Sequence, residues 1–488
     1  MKTVPSVAVA LFAWQSFATE LLTPEKIEAG VKQVDLERNL WNLNQIAKKN
    51  GGNRAFGLPG YKASSDYVLE RVQTRFGNTF DTTLQYFNHT FEQTRDISVT
   101  GPDGEDVPVI TLLYNNATPL PGGVTAPLLD TPVNDVTGSM CEAADWEGID
   151  PTGKIVLIKR GVCAISIKLK FAKDLGALGA ILWHQAEGVP NSATLSAENI
   201  GLISPVAVVA KPIGEAWKAR LAGGEELIVN LLVDSVFEER ESWNIISETK
   251  EGDANSVVML GAHLDSVQAG PGINDDGSGT SGILEILTAF RHYKGYKNKV
   301  RFAWWGAEES GLIGSLYYTS QLSEEEADKI KFYFNYDMIG SPNPIWAVYK
   351  GDNPGDAPGA QILYDYLVAE GKPAYYGGFG TGSDYVGFLQ LGIPSSGLFT
   401  GTGNDPCYHL VCDTTANIDS EALVINSKAA GFAAAKFALS LEGVPPRTKT
   451  TINRRNKMQI RAEFAKWAHA AQEAADTHSC SHKSKNVV

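Results

Sequence analysis

From Ser242 onward, short apolar runs alternate with longer amphipathic ones. Val257-Val258-Met259-Leu260, the run Val300 to Trp305, and Lys331 to Tyr336 read as strands buried on both faces. Ile283 to Leu287, Gly311 to Gln321 and Glu421 to Leu441 carry helical patterns. This alternation predicts an α/β fold, a mostly parallel mixed sheet flanked by helices. Residues 19–50 read as one helix, opened by Thr23-Pro24-Glu25 and spaced by Leu36, Leu40, Leu43 and Ile46. Gly51-Gly52 stops it, and Ser64 to Phe76 reads as a second helix. Thr82 to Thr100 alternates as strands do. Between 118 and 234 the chain turns rich in Val, Ile, Pro and Gly. There a strand at Gly153–Gly161, a helix at Ile165–Leu175 and a strand at Gly179–Trp183 follow one another. No histidine or paired-acid constellation accompanies them, so this stretch reads as a small β-rich accessory domain inserted into a larger one.

The ends of the chain differ in kind. Lys2, the apolar run Val4 to Trp14, and small residues Ser16 and Ala18 form the pattern of a signal peptide over residues 1–18. That run is too short to span a bilayer, and no later segment reads as long enough. After Pro445-Pro446, residues 447–488 hold nine Lys or Arg against three Asp or Glu, with Ile460, Phe464, Trp467 and Ala471 on one helical stripe. This basic tail is expected to be a helix packed on an acidic body, or a processed propeptide.

Composition narrows the class. With 488 residues, 43% hydrophobic and 20% charged, the chain reads as a globular protein of more than one domain. A net charge of −14 argues against nucleic acid as a partner. Five cysteines in a secreted chain should pair four: Cys407 with Cys412 and Cys141 with Cys163, leaving Cys480 odd. Sequons at Asn88 and Asn116 agree with a secretory route, so both are expected to be glycosylated. Secretion is the expectation, with the vacuole as the alternative and a monomer as the working form.

The candidate chemistry begins in Gly261–Gly282, where a strand runs into a glycine-rich crossover holding one histidine and three aspartates. Such a crossover lies at the carboxyl edge of a parallel sheet, where open α/β sheets bind ligands. Of the eight histidines, His263 and His409 have acids placed to join them. Other acids also follow apolar strands: Glu308-Glu309 after Trp305, and Asp337 after Tyr336. Nitrogen and oxygen donors without thiolate point to an open catalytic zinc site. The carboxylates of Asp275, Glu309 and Asp337 plus a bridging hydroxide balance the charge of two zinc ions. His263, Asp275 and Asp337 then hold one metal, and Asp275, Glu309 and His409 the other, with Asp275 bridging. Glu308, next to a ligand but pointing apart from it, suits a general base. Asp265 is expected to accept a hydrogen bond from His263, and Tyr408 to donate to a developing oxyanion.

These residues resemble the M28 family of zinc aminopeptidases. The matches are Gly261 to Ser266, Gly272 to Gly279, Trp305 to Glu309, Asp337 to Gly340, and Cys407-Tyr408-His409. Gly153 to Leu157, Arg160-Gly161 with Cys163, and Ala172 to Ala180 resemble a protease-associated (PA) domain. The resemblance implies a zinc exopeptidase fold with five zinc ligands, Glu308 as acid/base and Tyr408 as oxyanion donor. It also implies a cis peptide between Asp275 and Asp276, and a lid or substrate-filtering role for the PA domain. The implied division is 19–117 and 235–446 as the peptidase, 118–234 as the PA insertion and 447–488 as the tail. Where some bacterial members carry a substrate-holding Arg, this chain has Gly382. Met338 and Phe399 are expected to wall an apolar pocket. The expected activity is removal of large apolar, leucine-like N-terminal residues from peptides. The rivals are a carboxypeptidase or glutaminyl cyclase on the same scaffold, and a non-catalytic binding ectodomain.

Overall fold

A computed structural model describes residues 20–136, 138–184, 193–403 and 405–449. The expected signal peptide, the stripe of the basic tail and Cys480 lie outside those residues. The structure is mixed α/β. Four adjacent strands, Ser395–Phe399, Ile330–Tyr336, Asp253–His263 and Asn298–Trp305, run parallel in that order. Their apolar stretches are wholly buried: Val257 to Leu260, Phe302 to Trp305 and Phe332 to Phe334 show no solvent exposure. Helices on both faces explain this, since only a sheet covered twice can bury side chains of both parities. One covering layer packs Gly277–Phe290 and Ser420–Leu439 together with Pro24–Gly30 and Gln33–Lys49.

That last pair corrects the single helix expected over 19–50. The chain breaks after Gly30, whose missing side chain lets the first helix approach Gly277–Phe290 closely: a Cβ there would lie 2.8 Å from Ala289 Cβ. The helix expected over 64–76 is Pro59–Leu69 followed by a π-helical turn, Glu70–Arg75. By length and composition Ser420–Leu439 could cross a bilayer, contrary to the sequence expectation, but 67% of its most apolar window is buried inside the fold.

The two sheets are joined by a ribbon. Phe80–Thr100 and Ile228–Thr249 pair antiparallel along almost their whole length, with one irregularity between Thr94 and Asp96. One end of the ribbon pairs with the four parallel strands through Asn298–Trp305. The other pairs with Val124–Asp130, which opens a second parallel run of Ile155–Lys159, Gly179–Trp183 and Val206–Val209. The strand Ile228–Thr249 therefore passes the sequence boundary at 234/235 without a break, and Val109–Ile110 pairs with Val206–Val209 inside the second sheet. Disulfides join Cys141 to Cys163 and Cys407 to Cys412, with Cα atoms 5.9 and 5.3 Å apart. At the far end Arg447 is buried in the body rather than part of a free tail. It donates to Asp328 at 2.8 Å and to the Leu391 carbonyl at 2.9 Å.

Candidate metal centre

The carboxyl ends of the four parallel strands supply the site. His263 ends its strand, and Asp337 follows Tyr336 directly. Glu308 and Glu309 lie in the turn after Trp305, and His409 lies in the disulfide-closed loop beyond Phe399. Asp275 and Asp276 precede Gly277–Phe290, and the peptide bond between them is cis.

Asp275 sits between the two imidazoles. Its Oδ1 is 3.1 Å from His263 Nε2 and its Oδ2 is 3.2 Å from His409 Nε2. Glu309 Oε2 is 3.1 Å from His409 Nε2. Asp337 Oδ1 and Glu308 Oε2 lie 3.6 and 3.9 Å from His263 Nε2. Two buried carboxylate oxygens here, Glu309 Oε1 and Asp337 Oδ1, find no hydrogen bond. Buried polar atoms are almost always satisfied, so orphaned oxygens beside imidazole nitrogens are what a cation site leaves when described without its ion. The donor set of carboxylates and imidazoles fits zinc.

Burial and crowding set the electrostatics. Burial lifts the Glu308 carboxyl well above the usual range; Asp384, Glu309 and Asp337 add repulsion against the pull of His263. Burial also lifts Glu309, against the attraction of His409. Burial pushes Asp275 the same way, but the bonds from His263 and His409 prevail and hold it well below the usual carboxylate range. Burial lowers the His409 ring, yet Glu309 and Asp275 outweigh it and lift the ring to about 11.

Asp265 reaches beyond the His263 ring. Its Oδ1 is 3.7 Å from His263 Nδ1, which also lies 3.2 Å from the Asp265 carbonyl oxygen. The carboxylate accepts the backbone N–H groups of Glu308 at 3.0 Å and Glu309 at 3.3 Å, fixing the turn that carries both.

Several side chains around the site take roles that the sequence did not show. Asp276 caps the helix, accepting from Gly279 N at 2.8 Å, and also accepts from His263 N and Met338 N. Gly279 must be glycine, because a Cβ would lie 1.9 Å from the Tyr336 carbonyl oxygen. Asp413 accepts from Asn274 N and Asp275 N, and Asp405 accepts from the Asn274 amide. Arg54, wholly buried, donates to the carbonyls of Leu264, Pro271 and Gly272. Ser383 donates to Asp337 Oδ2 at 2.6 Å and accepts from Asn335. Each works through backbone amides, carbonyls or the second oxygen of Asp337, contacts no spacing rule exposes.

An open cleft of about 640 Å³ leads to these residues. Met338 and Phe399 line it, with Ile345, Tyr349, Tyr408 and Gly382. The Tyr408 ring stacks on His409 with centroids 3.8 Å apart, and burial raises its phenol well above the ordinary value. Of the two sequons, Asn88 is exposed and its amide donates to Glu239. Asn116 is a correction. It is buried, donates to the Ile203 carbonyl at 2.6 Å and accepts from Gly201 N, which leaves a glycan no room.

Comparison with known proteins agrees with this architecture. The model of peptidase family M28 matches residues 244–433, and that of the PA domain matches residues 124–217. Probable leucine aminopeptidase 2 of Aspergillus fumigatus is 36% identical over 457 residues, 86% of this chain and 88% of that protein. Leucine aminopeptidase 2 of Trichophyton rubrum is 33% identical over 473 residues, 91% of each. Among solved structures, an aminopeptidase from Aneurinibacillus sp. strain AM-1 superposes with a TM-score of 0.72 at 25% identity, covering 88% of this chain and 98% of that one. A zinc aminopeptidase from Bacillus subtilis gives 0.67 at 25% identity, over 86% and 98%. The chain therefore belongs to peptidase family M28 and carries a PA domain. Within that family it is a metallo-aminopeptidase, a zinc-dependent hydrolase acting on peptides.

Proposed function

We propose that the enzyme is a secreted di-zinc aminopeptidase that removes large apolar, leucine-like residues from the N-termini of peptides. His263, Asp275 and Asp337 would hold one zinc, and Asp275, Glu309 and His409 the other. The observation that carries this reading is the placement of Asp275, with one oxygen toward each imidazole at 3.1 and 3.2 Å. When bound, the pair of cations would acidify a water and polarise the scissile carbonyl.

The remaining work falls to side chains. Glu308 takes the proton of the attacking water and returns it to the departing amine. Its raised pKa suits the second task, and bound cations would pull it back toward the first. Tyr408 donates to the oxygen that gains charge as the carbonyl becomes tetrahedral. Asp265 holds the Glu308-Glu309 turn by its two amides. Met338, Ile345, Tyr349 and Phe399 give the cleft an apolar wall, which supports the preference for leucine-like side chains. The leucine aminopeptidases among the relatives support the same preference. The two disulfides and the N-terminal pattern support secretion.

Glu308→Gln tests the mechanism. Hydrolysis of leucyl-p-nitroanilide should fall by roughly 10²–10⁴, while zinc content and thermal unfolding stay as in the wild type. A variant that still turns over at the wild-type rate ends the mechanism.

A further inference from the structure

The turn that carries Glu308 and Glu309 is gripped from two sides. On one side the Asp265 carboxylate takes both of its amides. On the other, Ala307 and Ile313 are buried in the same apolar cluster as Met140, Trp146, Val156 and Ile158. Those four residues belong to the inserted, PA-bearing part of the chain. The turn is a demanding one. Ala307 and Leu312 both adopt left-handed backbone, φ 57° and 62°, which L side chains occupy only when the surroundings hold them there. Gly311 N and Leu312 N both fold back onto the Glu308 carbonyl, at 2.8 and 2.7 Å.

One side chain links the two parts. Tyr114 precedes the matched PA segment, but its chain neighbours are bonded into the insertion: Leu113 N donates to the Ala193 carbonyl at 3.0 Å, Leu195 N donates to the Leu113 carbonyl at 2.9 Å, and the Asn115 side-chain amide donates to the Val206 carbonyl at 2.7 Å. Tyr114 lies between Val109–Ile110 and Val124–Asp130 and is 2% exposed. Its hydroxyl lies 2.9 Å from His89 Nε2, 3.2 Å from the Thr90 carbonyl and 3.5 Å from the Ser310 carbonyl. Burial lowers the His89 ring to about 3, so it is neutral. With its proton on Nε2, His89 donates to the Tyr114 oxygen, and the phenolic proton is left for the carbonyls of Thr90 and Ser310. Ser310 follows Glu309 directly.

We propose that the PA-bearing insertion is a working part of the active site, because it holds the Glu308-Glu309 turn in place, with Tyr114 as the positioning residue through which it acts. The insertion supplies one jaw of the clamp whose other jaw is Asp265. The proposal rests on Glu308 and Glu309 working as described above.

Tyr114→Phe in the full, zinc-loaded chain tests it, because the ring still fills its hole and only the hydroxyl goes. Two readouts are needed together. Turnover of leucyl-p-nitroanilide, counted per zinc-loaded molecule, should fall about tenfold in kcat with KM within about twofold. Hydrogen–deuterium exchange of the amides of Gly311 to Ile313 should speed up about tenfold. If kcat per loaded molecule is unchanged, or the turn amides exchange as before, the proposal fails. Lost activity explained wholly by fewer folded molecules also overturns it, since Tyr114 would then be structural only. Should the Phe variant not fold, Tyr114→Met fills the same space without a hydroxyl and takes the same two tests. Exchange does not depend on turnover. Failure of the Glu308 mechanism would therefore show in Glu308→Gln and leave the exchange result standing.

Discussion

The two parallel runs of this chain end very differently. In the inserted sheet, Ile155–Lys159, Gly179–Trp183 and Val206–Val209 are as apolar and as buried as the peptidase strands, and two of them lead into helices. At their carboxyl ends, however, charges meet opposite partners. Lys159 pairs with Asp135 at 2.6 Å and lies over the Trp183 ring, and Lys218 holds both oxygens of Asp130 at 2.7 Å. At the peptidase edge four carboxylates face two imidazoles, and two buried oxygens have no hydrogen-bond partner. Among the described residues, both groups of His and acid side chains close enough to share a metal lie at that edge. Strand ends of one architecture thus become a neutral, finished surface or an unfinished anionic one. The difference lies in whether the sequence supplies each charge with its counter-charge or leaves that to a cation.

The largest effect should come from removing the shared carboxylate. Asp275→Asn is expected to lower kcat on the order of 10³ or more and to leave fewer than two zinc ions per chain. Asp130→Asn at the other edge should keep kcat within about twofold. Elemental analysis beside steady-state kinetics reads both, and equal losses at the two edges would erase the contrast.

Next comes the pH dependence of metal loading. Without metal, the His409 ring stands at about 11 because Glu309 and Asp275 outweigh the effect of burial, and His263 is raised for the same kind of reason. At neutral pH both rings then hold protons that zinc must displace. Affinity falls as pH falls, roughly tenfold per pH unit for each proton displaced. Competition with a chelating dye from about pH 6 to about pH 8 measures the slope, and a flat line would mean the rings are not ligands.

A smaller effect sits at the seam between the two parts, where burial lifts Glu92 to about 7 against the bonds from Thr94 and the Tyr114 amide. The folded state holds that proton more tightly than the unfolded chain, where a glutamate titrates near ~4.3. Its stabilising contribution is complete below the unfolded value and is lost as pH rises through about 7. Glu92→Gln cannot ionise, so it should gain on the wild type by roughly 3 kcal/mol between about pH 4.5 and about pH 8. The comparison is made by melting temperature, and a Tm difference that does not move with pH counts against it.

The smallest effect is at the cleft wall. A Cβ at Gly382 meets nothing within 4 Å, so Gly382→Arg has room. It should lower KM about threefold with kcat nearly unchanged; a raised KM would show that the open corner is used by substrate.

Much of this was legible in the sequence. The apolar strands appeared as continuous runs because a doubly covered parallel sheet buries both parities, as Val257 to Leu260 do. His263, Glu308, Glu309 and Asp337 could be found because they end or follow such runs, and His409 because only eight histidines had to be sorted. The break at Gly30 was not legible. The pattern of Leu36 to Ile46 continues a helix, and the close approach of Gly30 to Ala289 appears only in the folded chain. Nor was the burial of Asn116, since a sequon reports a local motif and not the Ile203 carbonyl waiting for its amide.

Local pattern, then, determined the strands, the fold class, the pairing of the cysteines and the roster of ionisable groups, because these follow from hydrophobic period, covalent chemistry and composition. Only the tertiary structure decided that Asp265 takes the amides of Glu308 and Glu309, and that Tyr114 reaches the Ser310 carbonyl from 196 residues away. Hydrogen bonds made to backbone atoms leave no residue-type signature at the receiving end, so they exist only once the chain is folded.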